Sequence, residues 1–197
     1  MLLTLSTQEI EKSLELLPGW LVLGFTVVAI LFGLIILFLN RSIPLSLRWI
    51  NRLFLVISII GLGVAVYIAY VQLLRVQAIC GPLENCNTVL QSRYAKLLGF
   101  VPNSVLGILS YLVIFFLWAW HQRHRDWLGI QAPLLIVAIT LLGSLLSVYL
   151  TTLQIFVLKA LCIWCLSSAT LISGLFLVSI SLYQTIHLPA STVAESS

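Results

Sequence analysis

Five long stretches without a charged side chain constrain this chain more than any other feature of its sequence. A helix of about 20 residues crosses the ~30 Å hydrocarbon layer of a membrane. The third stretch is near the lower limit for such a helix, and the fourth is longer than a membrane requires. We therefore predict an all-α integral membrane protein with five transmembrane helices, within Trp20–Leu39, Leu53–Leu74, Ser104–Trp120, Leu128–Leu158 and Ala160–Ile186.

The composition supports a membrane protein and argues against a nucleic-acid-binding one. Hydrophobic residues make up 61% of the chain and charged residues 8%, against roughly 25% charged residues in a soluble domain. The net charge is +4 and the pI is near 9.0, but the basic residues are not clustered densely enough to bind phosphates. We predict membrane lipid as a partner and no nucleic acid.

Two helix boundaries are predicted from local signals. Residues Leu5–Leu17 have apolar positions at helical spacing, with Ser6 and Glu9 at the separation of a capping box. This pattern predicts a short helix lying in the membrane interface before the first transmembrane helix. Pro133 favours the first turn of a helix, so we expect the fourth transmembrane helix to begin near it.

The arginines predict the orientation of the protein in the membrane. Arg41, Arg48 and Arg52 lie between the first two transmembrane helices, and Arg123 and Arg125 lie between the third and fourth. Short loops rich in Lys and Arg are typical of the cytoplasmic side. The opposite side has an equal number of basic residues at lower density. The predicted orientation therefore rests on the density of basic residues in the short loops. The N-terminus is then outside and the C-terminus inside.

Four cysteines form two close pairs on one side of the membrane. Cys80 and Cys86 follow the second transmembrane helix, and Cys162 and Cys165 follow the fourth. Two crossings separate the pairs, so both emerge on the same face, independently of charge. That face lies opposite the arginine loops, in the oxidising compartment where disulfides persist.

The second pair has the C-x-x-C spacing at the start of the last transmembrane helix. This spacing places both sulfurs on one face of a helical turn, close enough to form a disulfide. Backbone amides at a helix N-terminus favour a thiolate, so we expect a lowered cysteine pKa. The motif indicates a dithiol redox centre, although zinc sites share its spacing.

The first pair has a different setting, on a loop. Gly81 and Pro82 predict a bend that lets Cys80 and Cys86 move, as thiol–disulfide exchange between two pairs requires. Residues 87–98 have apolar and basic side chains on different faces and end before Gly99. They predict a short amphipathic helix across the mouth of the bundle.

Several alternatives remain open for these residues. The cysteines could form two structural disulfides, bind one zinc ion as four thiolates, or face lipid unpaired, although their pairing favours redox chemistry. Asn103 and Ser104 are good N-caps of the third transmembrane helix, and the Asn103 amide could also reach a ligand. His121 and His124 lie in an arginine loop and are expected to be solvated, so no metal site is predicted.

The cysteines and their neighbours together resemble the vitamin K epoxide reductase family and its bacterial disulfide-forming relatives. The resemblance covers roughly Leu53 to Tyr183. It rests on four stretches, which are Cys80 to Cys86, Asn87 to Tyr94, Asn103-Ser104 with Gly107, and Cys162-Ile163-Trp164-Cys165.

This resemblance implies a four-helix bundle core that holds a quinone of the ubiquinone, menaquinone or phylloquinone type. An additional N-terminal transmembrane helix lies outside that core. Cys80 and Cys86 would accept electrons from a thiol protein, Cys86 would exchange with Cys162, and Cys165 would lie nearest the quinone. The chain then divides into residues 1–52 with the interfacial and first transmembrane helices, the redox bundle at 53–187, and a polar tail at 188–197.

The resemblance also assigns the quinone site. Asn103 corresponds to a family asparagine that hydrogen-bonds a quinone oxygen. Ser104 and Leu90, from the matched stretches, complete the predicted site with Cys165. The apolar bundle interior suits a prenylated ring, and Trp164, Phe156 and Tyr111 are candidate lining residues.

Two departures from the family narrow the expected activity. Vertebrate epoxide reductases have a tyrosine where this chain has Ala169, which disfavours epoxide reduction. Many relatives have a fused thioredoxin-like domain, which this sequence lacks, so we expect a separate thioredoxin-like partner. We predict a thiol:quinone oxidoreductase that drives disulfide formation, in a bacterial inner membrane with the cysteines on the periplasmic face. The alternatives are an epoxide or quinone reductase and a non-catalytic scaffold with structural disulfides.

Overall fold

The computed structural model describes residues 2–39, 47–80, 86–97, 101–124 and 126–187. Within these ranges, long apolar stretches form long helices, and short polar segments connect them. The α-helices are α1 (Leu2–Leu39), α2 (Leu47–Leu74), α3 (Cys86–Leu90), α4 (Asn103–Arg123), α5 (Trp127–Leu153) and α6 (Ile163–His187). A π-helical segment, Gln154–Leu158, continues α5.

Five of the described helices are long and apolar enough to cross a membrane, which confirms the predicted fold class. The spans are Leu16–Leu39, Leu47–Leu74, Asn103–Arg123, Trp127–Leu158 and Ile163–Ile186. Their outer faces expose large apolar side chains such as Leu21, Phe32 and Leu142, each more than half exposed. An apolar surface of this extent is compatible with lipid and not with water.

Four of these helices close into a ring. Helix α2 packs against α4 and α6, and α5 also packs against α4 and α6. Helix α1 lies outside the ring, against α6 and α5. The core contains Phe54, Tyr111, Ile114 and Leu175, which are contributed by α2, α4 and α6. The predicted four-helix bundle with an additional N-terminal helix is therefore confirmed.

A small residue and a polar one attach α1 to the bundle. A Cβ atom at Gly33 would overlap the Phe176 ring of α6, so glycine permits the close approach of the two helices. One turn further along α1, the backbone oxygen of Ile36 accepts a hydrogen bond from Nε2 of Gln184 at 2.9 Å. Interhelical hydrogen bonds and small residues are the usual means of joining helices in lipid.

The prediction of a separate interfacial helix before the first transmembrane helix is wrong. Helix α1 is continuous from Leu2 and includes Pro18, so Ser6 is not at its N-cap. Leu16, two residues before Pro18, and Val22, four residues after it, both pack against a buried cluster that contains Leu161. These contacts show why the helix continues through the proline, because the chain gains packing on both sides of Pro18.

The predicted start of the fourth transmembrane helix is also wrong, since α5 begins at Trp127 and contains Pro133. A proline has no N–H, so the carbonyl four residues earlier, that of Gly129, lacks its helical donor. His121 replaces that donor, with its Nδ1 atom 2.6 Å from the Gly129 oxygen. His121 is thus a partly buried structural residue rather than a solvated one, whereas His124 is exposed.

The predicted amphipathic helix at residues 87–98 is shorter than expected. Helix α3 ends at Leu90, where the Ser92 hydroxyl binds the Val89 carbonyl oxygen at 2.8 Å and competes with the helical hydrogen bond. A 3₁₀ turn, Arg93–Ala95, follows, and then strand β1 (Lys96–Leu97) pairs antiparallel with β2 (Val101–Pro102). The predicted bend at residues 81–85 and helix stop at Gly99 lie outside the described residues, as does the 188–197 tail.

Candidate functional site

The segment that ends in Cys80 is held by side chains from three elements. After α2, Arg75 adopts a left-handed conformation with φ of 52° and turns the chain back over the bundle. The Ala78 N–H then donates to Oδ1 of Asn87 at 2.8 Å, and the Ile79 N–H donates to the Tyr67 hydroxyl at 3.1 Å. The Trp164 indole donates to the Ile79 oxygen at 2.9 Å. The backbone beside Cys80 is therefore fixed to α2, α3 and α6.

Cys162 lies at the turn between the π-helical segment and α6. The π-helical segment ends at Leu158, and the following residue, Lys159, has a φ of 47° that reverses the chain. Oε1 of Gln154 then accepts the Cys162 N–H at 3.0 Å. The Cys162 sulfur accepts the otherwise free Cys165 N–H at 3.4 Å, and the Cys162 backbone oxygen accepts the first helical hydrogen bond of α6, from Leu166 at 3.0 Å. Cys162 thus caps α6.

All four cysteines lie in one apolar cluster, which we call the cysteine cluster. The side chain of Cys80 contacts that of Cys86, which contacts that of Cys162, which in turn contacts that of Cys165. Cys86 and Cys162 are fully buried at 0% exposure, and Cys165 is partly exposed. The two pairs that the sequence places on one face of the membrane are therefore in direct contact.

Three thiols of this cluster, those of Cys80, Cys86 and Cys162, have raised pKa values. Burial, together with the neighbouring Cys86 thiol, raises the pKa of Cys80 from 9.0 to about 11. Burial also raises the pKa of Cys86. Hydrogen bonding to the Cys165 thiol, together with burial, raises the pKa of Cys162, despite the α6 amide that favours the thiolate. The expected lowering of the pKa by the helix N-terminus is outweighed at Cys162 by these two effects.

A cavity inside the ring of four helices reaches Cys165. Its empty volume is about 750 Å³, which includes space open to the surroundings. The predicted site residues Leu90, Asn103, Ser104 and Cys165 all line it, and so does Ala169. We call it the Cys165 cavity.

A second cavity adjoins the first between α4 and α5. Its empty volume, which includes space open to the surroundings, is about 1050 Å³, and it shares Asn103, Gly107 and Ser147 with the Cys165 cavity. Its wall includes Leu146 and Tyr149, which are exposed on the lipid-facing side. The two cavities together extend from Cys165 to the outer surface of the bundle.

Neither Asn103 nor Ser104 serves as the N-cap of α4. Pro102 occupies that position and makes no capping bond. Nδ2 of Asn103 donates to the Tyr94 oxygen at 3.0 Å, and the Ser104 hydroxyl donates to Oε1 of Gln72. Both side chains instead join α4 to neighbouring elements at the wall of the Cys165 cavity.

Three residues of this site were not found from the sequence. Tyr67 and Gln154 hold the two cysteine segments, and Gln72 binds both Ser104 and the Leu90 oxygen. All three are single uncharged polar residues near helix ends, and a hydrophobicity pattern does not distinguish such residues. Gln154 lies eight residues before the C-x-x-C motif, and the π-helical segment brings its side chain back to the Cys162 N–H.

Of the three aromatic residues expected to line the quinone site, one lines a cavity and two do not. Tyr111 lines the second cavity, but neither Trp164 nor Phe156 lines either one. Trp164 packs on Tyr67 with ring centroids 4.4 Å apart, and Phe156 packs edge-on against Trp20 at 5.5 Å. In the part of the chain that the structure describes, no group of three His, Cys, Asp or Glu residues could hold a metal ion.

The comparisons with known proteins place this site in a family. A search of curated proteins finds no significant match. The model of the vitamin K epoxide reductase family matches residues 52–180, a segment that contains all four cysteines and Asn103. This segment also contains helices α4 and α5 and most of α2 and α6. The chain therefore belongs to the vitamin K epoxide reductase family.

Proposed function

We propose that this protein is a membrane thiol:quinone oxidoreductase that reoxidises a separate thioredoxin-like protein and so drives disulfide formation. Membership of the family makes the chain a membrane oxidoreductase of quinone and disulfide chemistry. The observation that carries the finer proposal is the contact order Cys80, Cys86, Cys162, Cys165, with Cys165 in the wall of a cavity. We call this order the cysteine relay.

The first half of the relay is thiol–disulfide exchange. A thiolate of the partner attacks the Cys80 sulfur of a Cys80–Cys86 disulfide, and its second thiol completes the partner's disulfide. Cys86 then attacks Cys162 of a Cys162–Cys165 disulfide, which releases the Cys165 thiol. Cys80 displaces Cys162 from Cys86, so the loop pair is a disulfide again and the second pair is a dithiol.

The second half passes two electrons to the quinone. The Cys162–Cys165 dithiol loses two electrons and two protons and becomes a disulfide, and the quinone gains them and becomes a hydroquinone. The quinone has a higher potential than a dithiol and therefore pulls the exchange towards disulfide formation, by about 1.4 kcal/mol for each 30 mV. The residues that we assign to its binding are Asn103, Ser104, Leu90 and Cys165, all of which line the Cys165 cavity.

A partner could dock beside Cys80. Ile79 has an exposed fraction of 78%, although Tyr67 and Trp164 bind its backbone and hold it in place. A fixed, exposed apolar side chain next to a redox cysteine suits contact with another protein.

We propose that the cysteine cluster faces the periplasm of a bacterial inner membrane, opposite Arg48, Arg52 and Arg123.

The second candidate function, epoxide reduction, is less well supported by the cavity. The position that carries a tyrosine in vertebrate members is Ala169, which is buried in the wall of the Cys165 cavity. An alanine supplies no hydroxyl to donate a proton to an epoxide oxygen. We therefore favour quinone reduction coupled to disulfide formation.

The proposal is tested by following hydroquinone formation without oxygen. Purified protein in detergent receives dithiothreitol and a ubiquinone with one prenyl unit. We expect one hydroquinone for each dithiothreitol oxidised, and loss of this turnover in Cys165→Ser. No turnover by the wild-type protein would refute an oxidoreductase of this type, and full turnover by Cys165→Ser would refute the assigned last step.

A matched variant separates the two halves of the relay. Dithiothreitol can reduce Cys162–Cys165 directly, whereas a protein dithiol too large to enter the cluster must act through Cys80. Cys80→Ser should therefore retain turnover with dithiothreitol and lose it with a reduced thioredoxin-like protein. Equal losses with both donors would contradict the assigned entry point.

A further inference from the structure

Gln154 connects the C-x-x-C motif to the Cys165 cavity. It begins the π-helical segment, has an exposed fraction of 3%, and lines the cavity together with Cys165. π-Helical turns within α-helices occur often at functional sites, because they change the direction of a side chain. Here the turn brings a carboxamide between the backbone of Cys162 and the cavity.

The hydrogen bond to Cys162 fixes the orientation of this carboxamide. The Cys162 N–H is a donor, so the group 3.0 Å from it must be the oxygen, Oε1. The amide nitrogen, Nε2, then points the other way. Within the described residues no acceptor binds Nε2, and Nε2 is not among the fully buried atoms that lack a partner. It therefore has accessible space beside it, and the cavity supplies that space.

Two other buried or cavity-lining glutamines show that this arrangement is particular to Gln154. Gln72 also lines the Cys165 cavity, but its Oε1 accepts from Ser104 and its Nε2 donates to the Leu90 oxygen. Gln184 is equally buried and lies at the other end of α6, where Nε2 donates to Ile36. Of these three glutamines, Gln154 is the one whose Nε2 makes no hydrogen bond within the described residues, so both of its N–H groups are available to a ligand in the cavity.

We propose that Nε2 of Gln154 donates a hydrogen bond to a carbonyl oxygen of the bound quinone. The inference rests on the proposed function and adds a binding residue that the family motifs do not include. A quinone has two carbonyl oxygens. Nε2 of Gln154 can donate to one, and the second N–H of Asn103 Nδ2, whose first binds the Tyr94 oxygen, can donate to the other. As the quinone gains electrons its oxygens become more negative, and a fixed amide donor stabilises that charge. The same side chain thus holds Cys162 and the electron acceptor.

The test compares Gln154→Met with Gln184→Met in the anaerobic assay with dithiothreitol and one-prenyl ubiquinone. Methionine has a similar volume, so the fold should be retained. Loss of one hydrogen bond to the quinone should raise the apparent KM for ubiquinone about fivefold to tenfold in Gln154→Met. Gln184→Met should leave that KM within about twofold of the wild-type value.

Two further readouts separate quinone binding from a purely structural role. Infrared spectra of the wild-type protein with bound ubiquinone should show both carbonyl bands below their positions in detergent alone, and Gln154→Met should restore one of them. A variant that alters the Cys162–Cys165 redox potential but neither the ubiquinone KM nor the carbonyl bands would overturn the inference. If the wild-type protein reduces no quinone, the proposed function fails instead.

Discussion

The chemistry of Cys80 depends on its surroundings more than on its own thiol. Burial and the Cys86 thiol raise its pKa to about 11, so little of it is thiolate at neutral pH. In the proposed relay the raised pKa does not slow the entry step, because Cys80 is then part of a disulfide and a partner thiolate attacks its sulfur. The partner supplies the nucleophilic thiolate, and the cysteine cluster supplies the disulfide that accepts the electrons.

This raised pKa predicts a slow and strongly pH-dependent alkylation of Cys80 in the fully reduced protein. The thiolate is the reactive form, so raising the pKa from 9.0 to about 11 should reduce the rate at pH 8 about 100-fold relative to an unperturbed cysteine. The rate should continue to rise with pH to about 11. Iodoacetamide labelling followed by peptide mass spectrometry measures it, and a plateau near pH 9 would contradict the assigned burial.

Sequence reasoning at this scale found the four cysteines that the structure brings together and missed the residues that hold them. The four cysteines could be placed together because two membrane crossings separate the pairs. Asn103 and Ser104 were also placed in the site, through the family resemblance. Tyr67 and Gln154 could not be found, because their roles depend on a left-handed turn at Arg75 and a π-helical turn after α5. Neither turn has a signal in the hydrophobicity pattern.

At the scale of elements, the segment between α2 and Cys80 acts as a fixed arm over the cysteine cluster. The backbone at Ala78 and Ile79 is fixed by three hydrogen bonds to side chains. Asn87 and Tyr67 accept from the two N–H groups, and Trp164 donates to the Ile79 oxygen. The rings of Tyr67 and Trp164 also pack together, which joins α2 to the start of α6. The contact between Cys86 and Cys162 therefore depends on these side chains.

Removal of one of these bonds should slow exchange between the two pairs. Tyr67→Phe retains the ring and loses the hydroxyl that accepts the Ile79 N–H, so we expect electron transfer from Cys80 and Cys86 to slow about fivefold. Reduction of quinone by Cys162 and Cys165 should be unaffected. Rapid-mixing kinetics of the reduced protein resolve the two phases, and equal slowing in the exposed Tyr70→Phe control would exclude a specific role.

The continuous course of α5 through Pro133 gives a second prediction at this scale. His121 binds the Gly129 oxygen that the proline leaves without a donor. His121→Ala should therefore destabilise the protein by about 1 to 3 kcal/mol, the usual cost of an unsatisfied buried polar group. Thermal unfolding in detergent measures this, with His124→Ala as the exposed control. Equal stabilities of the two variants would show that His121 is not the replacement donor.

Element boundaries were the least predictable part of the fold. Pro133 was expected near a helix start, and the helix at Leu5–Leu17 was expected to be separate from the first transmembrane helix, but Pro133 and Pro18 both lie inside continuous helices. In each case tertiary contacts outweigh the local preference, through the packing of Leu16 at the first and the His121 bond at the second. Helix number and arrangement depend on long apolar stretches, and for this reason they could be predicted from the sequence.

At the scale of the whole molecule, orientation in the membrane decides which compartment supplies the thiols. The density of arginines predicts a cytoplasmic C-terminus and an outside N-terminus. A fluorescent protein that matures in the cytoplasm should therefore be bright when fused after Ser197 and dark when fused before Met1. The opposite result would place the cysteine cluster on the reducing side and would contradict a role in disulfide formation.

The whole molecule is organised as one path from an exposed end to an internal cavity. Cys80 is buried beside the exposed Ile79, the buried Cys86 and Cys162 connect the pairs, and Cys165 meets the cavity that continues to the lipid-facing surface. Each transfer between cysteines in the proposed electron path corresponds to a contact between their side chains. The central claim is that the loop pair reaches the quinone through Cys162 and Cys165.

The stoichiometry of the fully reduced protein tests this claim most directly. With excess ubiquinone and no oxygen or added thiol, four thiols per wild-type chain should yield two hydroquinones. A Cys80→Ser, Cys86→Ser double variant should yield one, and a Cys162→Ser, Cys165→Ser double variant should yield none. One hydroquinone from the last variant would show that the loop pair reduces quinone directly, and would contradict the relay.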